Sequence, residues 1–241
     1  MRKSTKVKKF IPTVVKLKFR VIKRQITDLK FISKNRFAKK RPQENVSGFS
    51  ITIEQEIKKG TFLENKIHNL KLAFKTINEI CIYPDELFSF WKTVGYPSEK
   101  NGFKKGRNIV NQKISEEVGG GLCQLSGIIY HTALTANLQI LERHNHSVDI
   151  YSEEDRFTPL GADATVVYGY KDLRIKNNTD FPIQFKIEIE GSHISCSLNS
   201  HKEIEEHHVT FNTIDKGKKT EVVTFIENKK VAISFYNKLR S

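Results

Sequence analysis

The residues best suited to chemistry stand in the sequence GGGLCQLS at positions 119–126. Its cysteine, Cys123, follows three glycines and precedes a run in which apolar residues recur at i, i+3, i+4 and i+7, the spacing of one helical face. The pattern predicts that Cys123 lies at the beginning of a helix, where unpaired N–H groups and the helix dipole favour an anion. There the pKa of a thiol falls from ~8.5 into the range of roughly 3.5–7.5, which makes it a nucleophile. A small buried cysteine behind a glycine turn is the structural alternative.

A cysteine nucleophile needs a base and a group that orients the base. His144 and His146 stand two residues apart on a predicted strand, so they share one face of it and either could be the base. Asp163 and Asp172 lie at predicted strand ends and are alternatives for the orienting acid, although Asp is equally common in turns. The candidate catalytic set is Cys123, His146, His144 and Asp163.

The neighbours of the cysteine are predicted to bind the substrate. Three consecutive glycines let a ligand approach the backbone closely. Gln124 and the N–H groups near Cys123 could supply an oxyanion hole for acyl transfer. The predicted substrate-binding residues are Gly119, Gly120, Gly121, Gln124 and Ser126.

Other chemistry finds less support in the sequence. Cys123, His144 and His146 could be three ligands of a metal, but no fourth ligand stands at a familiar spacing, so we predict neither a metal nor another cofactor. His131 falls on the side of the Cys123 helix opposite its apolar face and is expected to face solvent. Cys81 and Cys196 could form one disulfide, but three scattered cysteines make no disulfide framework.

Positive charge is concentrated at the beginning of the chain. The 241 residues carry a net charge of +14, yet residues 1–41 hold 16 Lys and Arg and a single acid, Asp28. The remainder is nearly neutral and has no aromatic-rich basic motif, so nucleic acid is an unlikely partner. On a helical projection, the segment 10–24 separates an apolar side from a basic one and is expected to lie on an anionic membrane surface. Docking of this helix on the body is the alternative. The apolar side holds Phe10, Ile11, Val14, Val15, Val21 and Ile22.

Neither a membrane-spanning helix nor an export signal stands out in the sequence. The apolar run at 10–15 ends at Lys16, well short of the ~20 residues that a span requires, and no small-residue cleavage site follows it. We therefore expect a cytoplasmic protein or one bound to the inner face of the membrane. Action outside the membrane is the alternative.

Periodicity predicts an α+β fold, with helices in the first half packed on a mainly antiparallel sheet and a basic arm extending before them. We predict a basic arm over 1–45 and a main domain over 46–200. The strands of 201–241 are expected to belong to the same domain. Elements predicted beside the Cys123 helix are a helix over 67–80 and strands over 46–57, 87–91, 139–144, 147–151, 164–169, 173–176, 183–190, 192–198, 207–214, 221–226 and 231–236.

Several stretches between residues 62 and 200 resemble the VanW family in consistent order. The GGGxCQxS core is its most specific motif, and the usual Pro-Gly-Glu turn is here Pro-Asp-Glu at 84–86. The stretches that carry the resemblance are NLKLA at 69–73, PDELFSF at 84–90, GGGLCQLS at 119–126, ERHNHS at 142–147, DATV at 163–166 and DLRIKNNT at 172–179.

The resemblance implies a thiol enzyme of the cell wall. Some members of the family act as L,D-transpeptidases that crosslink peptidoglycan stem peptides, with the cysteine of this motif as nucleophile. Carried onto this sequence, that residue is Cys123, and the histidine motif maps to His144 and His146. The expected partner is a peptidoglycan stem peptide or a lipid-linked precursor. A non-catalytic accessory or binding protein of the cell-wall or resistance machinery is the alternative.

Overall fold

The described part of the chain contains four α-helices. A computed structural model describes residues 13–32, 36–41, 46–110, 113–149 and 156–238. Within these ranges no helix is long and apolar enough to cross a membrane. The helices are α1 (Thr13–Ile32), α2 (Leu63–Ile77), α3 (Phe90–Val94) and α4 (Leu122–Thr135).

The strands form four small sheets in this part of the chain. Their orders are β1-β4-β8-β7, β2-β10-β9-β3, β11-β12-β13 and β5-β6, and only the β1–β4 pairing between these strands is parallel. The predicted α+β class is therefore confirmed. The strands are β1 (Arg36–Phe37), β2 (Phe49–Glu56), β3 (Cys81–Ile82), β4 (Glu86–Ser89), β5 (Lys105–Val110), β6 (Lys113–Val118), β7 (Gln139–Glu142), β8 (Arg174–Lys176), β9 (Ile183–Glu190), β10 (His193–Ser200), β11 (Val209–Asp215), β12 (Lys219–Ile226) and β13 (Lys229–Asn237).

Helix α4 runs through the centre of the core. Leu125, Ile128 and Ile129 are fully buried, and the helix packs against β2, β10 and α2. Because Gly127, Thr132 and Ala133 are small, neighbouring elements can approach the helix closely on several sides. The first turn of α4, which carries Cys123, is thereby held rigidly by the core.

The beginning of α4 depends on one glycine. Gly121 precedes the helix with a φ of 100°, a backbone conformation that residues with a Cβ rarely adopt. A Cβ at this position would also lie 2.8 Å from Cγ of Lys66 on α2. Ser126 then ties the first turn to the segment after Gly161, since its hydroxyl donates to the carbonyl oxygen of Ala164 at 2.6 Å.

Several predicted elements differ from those observed. The helix predicted over 67–80 is α2, which begins and ends earlier. The strand predicted over 87–91 ends at Ser89, because its hydroxyl accepts from the Lys92 N–H at 3.3 Å and caps α3. The strand predicted over 139–144 ends at Glu142, and residues 164–169 are irregular apart from an isolated bridge at Val167. The β5–β6 hairpin was not predicted, and Lys and Glu obscure the alternation in its second strand.

The sheet β11–β13 covers the far side of α4 and corrects the expectation for His131. His131 does not face solvent: its ring lies edge-on to Phe211 of β11 at 5.7 Å, and burial lowers its pKa to about 4. Cys81 and Cys196 do not form a disulfide, because β3 and β10 flank β9 on opposite sides. That places them about two strand spacings apart, beyond the ~7 Å that a disulfide spans.

Helix α1 is bound to the body rather than extending away from it. The Arg24 guanidinium contacts both carboxylate oxygens of Glu142, and Asp28 accepts from Arg174 at 2.6 Å. Arg174 also bonds Asp172 at 3.1 Å, so this network joins α1 to β7 and β8. Since three carboxylates and two guanidinium groups are largely buried together, each needs its partners. Residues 1–12, 33–35 and 42–45 of the predicted arm lie outside the described residues.

The role of Gly121 can be tested by Gly121→Ala. We expect a loss of about 1–3 kcal/mol in the free energy of unfolding, because alanine is strained at this φ and its Cβ meets Lys66. Urea denaturation would measure it. The control is Gly60→Ala, where nothing lies within 4 Å and the change should stay within about 0.5 kcal/mol. Equal stability of the two variants would contradict this account of how α4 begins.

Candidate active site

Cys123 is the second residue of α4 and borders a cleft of about 620 Å³. Its side chain is partly buried. Its sulfur lies 3.6 Å from Oγ1 of Thr165 and 3.9 Å from the carbonyl oxygen of Val166. The thiol thus meets the irregular segment after Gly161 on one side and the cleft on the other.

His146 links the thiol to a carboxylate. Its Nδ1 lies 2.6 Å from Oδ2 of Asp163, and its ring stands close enough to Cys123 to interact with the thiol. Burial would raise the pKa of the Cys123 thiol, but the neighbouring, positively charged His146 together with Val166 and Thr165 lowers it. Burial likewise opposes a charged imidazole, yet Asp163 and Cys123 raise the pKa of His146. Both directions favour a thiolate paired with an imidazolium.

Asp163 is a buried anion held by several donors. The backbone N–H of His146 donates to Oδ2 at 2.7 Å, Arg143 donates to Oδ1 at 2.9 Å, and the Tyr236 hydroxyl donates to the same oxygen. Burial would raise the pKa of Asp163, but His146 and Arg143 keep it well below its usual value. Arg143 in turn lies over the ring of Tyr130, with 4.8 Å between its guanidinium carbon and the ring centroid. The carboxylate therefore stays charged and fixes the imidazole.

His144 and Asp172, the alternatives for base and acid, lie elsewhere. Since β7 ends at Glu142, the two histidines do not share a strand face. His144 Nε2 lies 3.1 Å from Glu142, within the network that binds α1. Asp172 accepts from Ser89 at 2.6 Å and from the N–H of Trp91 at 3.1 Å, so it joins α3 to β8. His146 and Asp163 alone of the four stand with Cys123.

The predicted substrate-binding residues divide into two groups. Gly120, Gly121 and Gln124 line the cleft. Gly119 packs against Pro97 instead, and Ser126 is fully buried against the backbone of Ala164. The last two therefore support the site without lining it.

Gln124 does not have the geometry of an oxyanion-hole donor. Its side-chain nitrogen donates to the carbonyl oxygen of Glu56 at 2.9 Å, and its backbone N–H donates to Gly121. Its Oε1 is buried without a hydrogen-bond partner. Gln124 thus presents an acceptor, not a donor.

Sequence reasoning missed two residues of the site. Arg143 stands in the ERHNHS motif beside the candidate histidines, so its position was the available signal. Tyr236 lies near the C-terminus on β13, where no motif marks it. In the described part of the chain, no group of three or more His, Cys, Asp or Glu is arranged to hold a metal ion.

The rest of the cleft wall comes from the end of β2, from the segment after it, from the beginning of α2 and from the residues before Gly161. It combines aromatic and aliphatic side chains with basic ones. Its lining residues include Gln55, Lys58, Lys59, Phe62, Leu63, Lys66, Arg156, Phe157, Thr158, Pro159 and Leu160.

Comparison with known proteins places these residues in a family. A family model described as VanW like protein matches residues 65–199. Over 133 residues the chain is 36% identical to the vancomycin B-type resistance protein VanW of Enterococcus faecalis, covering 55% of this chain and 48% of that protein. Over 137 residues it is 34% identical to the uncharacterized protein YoaR of Bacillus subtilis, covering 57% of this chain and 44% of that protein.

The chain spans about half the length of the curated relatives it matches. No solved structure gives a significant match. The matched range contains Cys123, His146 and Asp163, whereas Gln55 and Tyr236 lie outside it.

The ion pair predicts an unusual pH dependence for the reaction of Cys123 with iodoacetamide. Because His146 lowers the thiol pKa, the rate should level off at a pH below ~8.5, the inflection of an ordinary cysteine. In His146→Gln, burial acts without that charge, so the inflection should move above ~8.5. Peptide mapping by mass spectrometry would separate Cys123 from the buried Cys81 and Cys196. The same inflection in both proteins would show that His146 does not activate the thiol.

Proposed function

This chain belongs to the VanW family, and from that premise we propose that it is a cysteine-dependent acyltransferase acting on peptidoglycan or its precursors. The observation that carries the proposal is the chain of contacts from Cys123 through His146 to Asp163 at the edge of the cleft. Thiol acyl transfer requires a nucleophile, a base next to it and an acid that orients the base, and the thiol, the imidazole and the carboxylate are neighbours in this order. The reaction is the exchange of one peptide bond for another, as in L,D-transpeptidation of stem peptides.

In the first half of the reaction, the Cys123 thiolate attacks the carbonyl carbon of a donor peptide bond. A C–S bond forms, and His146 gives its proton to the departing amine as the C–N bond breaks. The product is a thioester on Cys123. Asp163 keeps the imidazole oriented and stabilises its charged form throughout.

In the second half, an acceptor amine attacks the thioester carbonyl. His146 takes one proton from that amine, the new C–N bond forms, and the C–S bond breaks to restore the thiolate. An acceptor amine from a neighbouring stem peptide gives a crosslink, whereas water gives hydrolysis. The apolar side chains in the cleft wall, among them Phe62 and Phe157, favour transfer to the amine over hydrolysis, because they limit the access of water.

A link to glycopeptide resistance is part of the proposal. The Enterococcus faecalis relative is named as a vancomycin B-type resistance protein. Vancomycin and a transpeptidase would act on the same stem peptides, so an enzyme that changes their ends or crosslinks fits that setting. The alternative is a non-catalytic accessory protein that uses the glycine-lined cleft to bind a partner.

Substitution of Cys123 separates these two functions. After incubation with purified muropeptides, intact-mass spectrometry should show an acyl adduct on the wild-type protein and none on the Cys123→Ala variant. His146→Gln should lose most of the adduct, because the thiol is no longer activated. The matched control is His144→Gln, which should keep it, since His144 contacts Glu142 instead. An accessory protein would show no adduct in any variant, and Cys123→Ala would retain its cellular role.

We further propose that α1 holds the protein against an anionic membrane surface. Its docked side carries Arg24 and Asp28, and Val21 lies against Gly169. The opposite side presents an exposed apolar stripe, in which Phe19 and Leu29 are 66% and 67% exposed. The stripe consists of Val15, Phe19, Ile22, Ile26 and Leu29.

Charge complementarity makes anionic lipid the occupant of this stripe. Lys16 and Lys23 flank it on one side and Lys18 on the other, the arrangement of a helix that lies in a membrane interface. This differs from the side first predicted, since Val21 faces the body. The site cleft would then operate close to the membrane, where lipid-linked precursors are found.

Vesicle sedimentation tests this proposal. The protein should bind vesicles rich in phosphatidylglycerol and bind pure phosphatidylcholine at least about tenfold more weakly. Phe19→Ser combined with Leu29→Ser should abolish the binding, because it removes apolar area from the stripe. Phe49→Ser, at an exposed aromatic of β2, is the control and should bind as before. Vesicle binding unaffected by the α1 substitutions, or a dimer held together by the stripe, would contradict the proposal.

A further inference from the structure

The cleft wall contains buried polar atoms with no hydrogen-bond partner among the described residues. They are both side-chain amide atoms of Gln55, Oε1 of Gln124 and Oγ1 of Thr158. Gln55 is only 3% exposed and Gln124 only 7%. Folded proteins leave few such atoms without a partner, because an unpaired buried donor or acceptor costs free energy. Their concentration in one cleft indicates that a ligand completes them.

Gln55 occupies a position where the fold itself would favour an apolar residue. Along β2 the inward-facing side chains are Ile51, Ile53 and Gln55, and the buried Ile57 follows the strand. Burying an unpaired carboxamide in such a row is unfavourable compared with burying isoleucine or leucine. The glutamine therefore weakens the core locally, which is typical of residues retained for binding.

Gln55 and Gln124 are held next to each other at the site. The Gln124 side chain donates to the carbonyl oxygen of Glu56, the residue after Gln55, at 2.9 Å. Gln124 also follows Cys123 directly in the chain. Gln55, Gln124 and Cys123 therefore line the same cleft, the one that the donor substrate of the proposed reaction would enter.

We propose that Gln55 and Gln124 form a subsite for the backbone of an extended peptide bound in the cleft. In an extended chain, the N–H and C=O of one residue point to the same side, so both can pair with the carboxamide of Gln55. Nε2 then donates to the peptide carbonyl and Oε1 accepts the peptide N–H. The Oε1 atom of Gln124 accepts a second N–H.

The chemistry of the subsite selects against other ligands. The cleft wall also carries basic side chains, among them Lys58, Lys59 and Lys66. At the subsite itself two of the three amide atoms are acceptors, so a phosphate or carboxylate oxygen placed there would meet repulsion rather than pairing. The aliphatic and aromatic wall at Leu63, Phe157 and Leu160 suits the side chains of a short peptide. This inference rests on the proposed function, since it identifies the peptide part of the acyl donor as the recognised group.

The test uses the full chain with Cys123→Ala, so that no reaction follows binding. The probe is a synthetic N-acetylated stem tetrapeptide, and calorimetry measures its Kd with and without Gln55→Leu. We expect Gln55→Leu to weaken binding about tenfold or more, the equivalent of losing two hydrogen bonds. It should leave the melting temperature unchanged or raise it, because an unpaired amide is replaced by an apolar group of similar size. Glu54→Gln, on the outer face of β2, should change neither quantity.

A lowered melting temperature with unchanged peptide affinity would overturn the subsite, and so would the absence of any peptide binding. A second variant, Gln55→Glu, keeps an acceptor but adds a charge, and it should also weaken binding. A bound water that satisfies Gln55 would leave the affinity for the peptide equal in all variants.

Reaction of Cys123 with iodoacetate, which carries no amide, distinguishes failure of the subsite from failure of the transferase. Its rate in the protein with an intact cysteine should not change with Gln55→Leu, because His146 sets the thiol pKa. Peptide binding that depends on Gln55 without any acyl adduct would support the subsite and remove the transferase. An acyl adduct formed with the same KM in Gln55→Leu would remove the subsite and leave the transferase standing.

Discussion

The buried carboxylate of Asp163 is the group on which the rest of the site depends. A charge removed from water is tolerated only with several hydrogen bonds and an opposite charge, and here they come from His146, Arg143 and Tyr236. Satisfying one carboxylate therefore brings together the chain after β7, the irregular segment after Gly161 and strand β13. It also determines how the imidazole is oriented, because Nδ1 is occupied by Asp163 and the ring can turn only its other nitrogen to the thiol. The thiolate–imidazolium pair is a consequence of this arrangement.

Residues 142–146, at the end of β7 and just after it, contribute to two polar networks. Glu142 and His144 belong to the network that binds α1, whereas Arg143 and His146 belong to the candidate active site. Because the same few residues serve both networks, the attachment of α1 and the geometry of the site are connected through the backbone. A protein that binds a membrane through α1 would hold its cleft in a defined orientation toward lipid-linked substrates, since the network leaves this helix little freedom to move.

The cleft combines a reactive group with buried polar atoms that have no hydrogen-bond partner among the described residues. The reactive group is the Cys123 thiol, because a thiolate paired with an imidazolium is reactive toward a carbonyl carbon. The unpaired polar atoms are side-chain amide atoms of Gln55 and Gln124, which are complementary to a peptide backbone. Together they fit the proposed substrate class, a peptide whose backbone would face β2 and α4 and whose reactive carbonyl would face Cys123. Neither feature alone would separate an acyltransferase from a peptide-binding protein.

Local patterns in the sequence determined the α+β class, most strands of the second half and Cys123 as the residue to examine first, because helical periodicity and glycine turns are properties of neighbouring residues. Which of His144 and His146, and which of Asp163 and Asp172, stands beside Cys123 was decided only by tertiary structure. Two histidines on a regular strand would share a face, but the strand ends at Glu142 and the two rings turn to different partners. No local pattern in the sequence marks Tyr236, Gln55 or the docked side of α1, since each acquires its role from residues far away in the chain. The sequence identified the candidate nucleophile, and long-range packing around one buried charge determined which residues surround it.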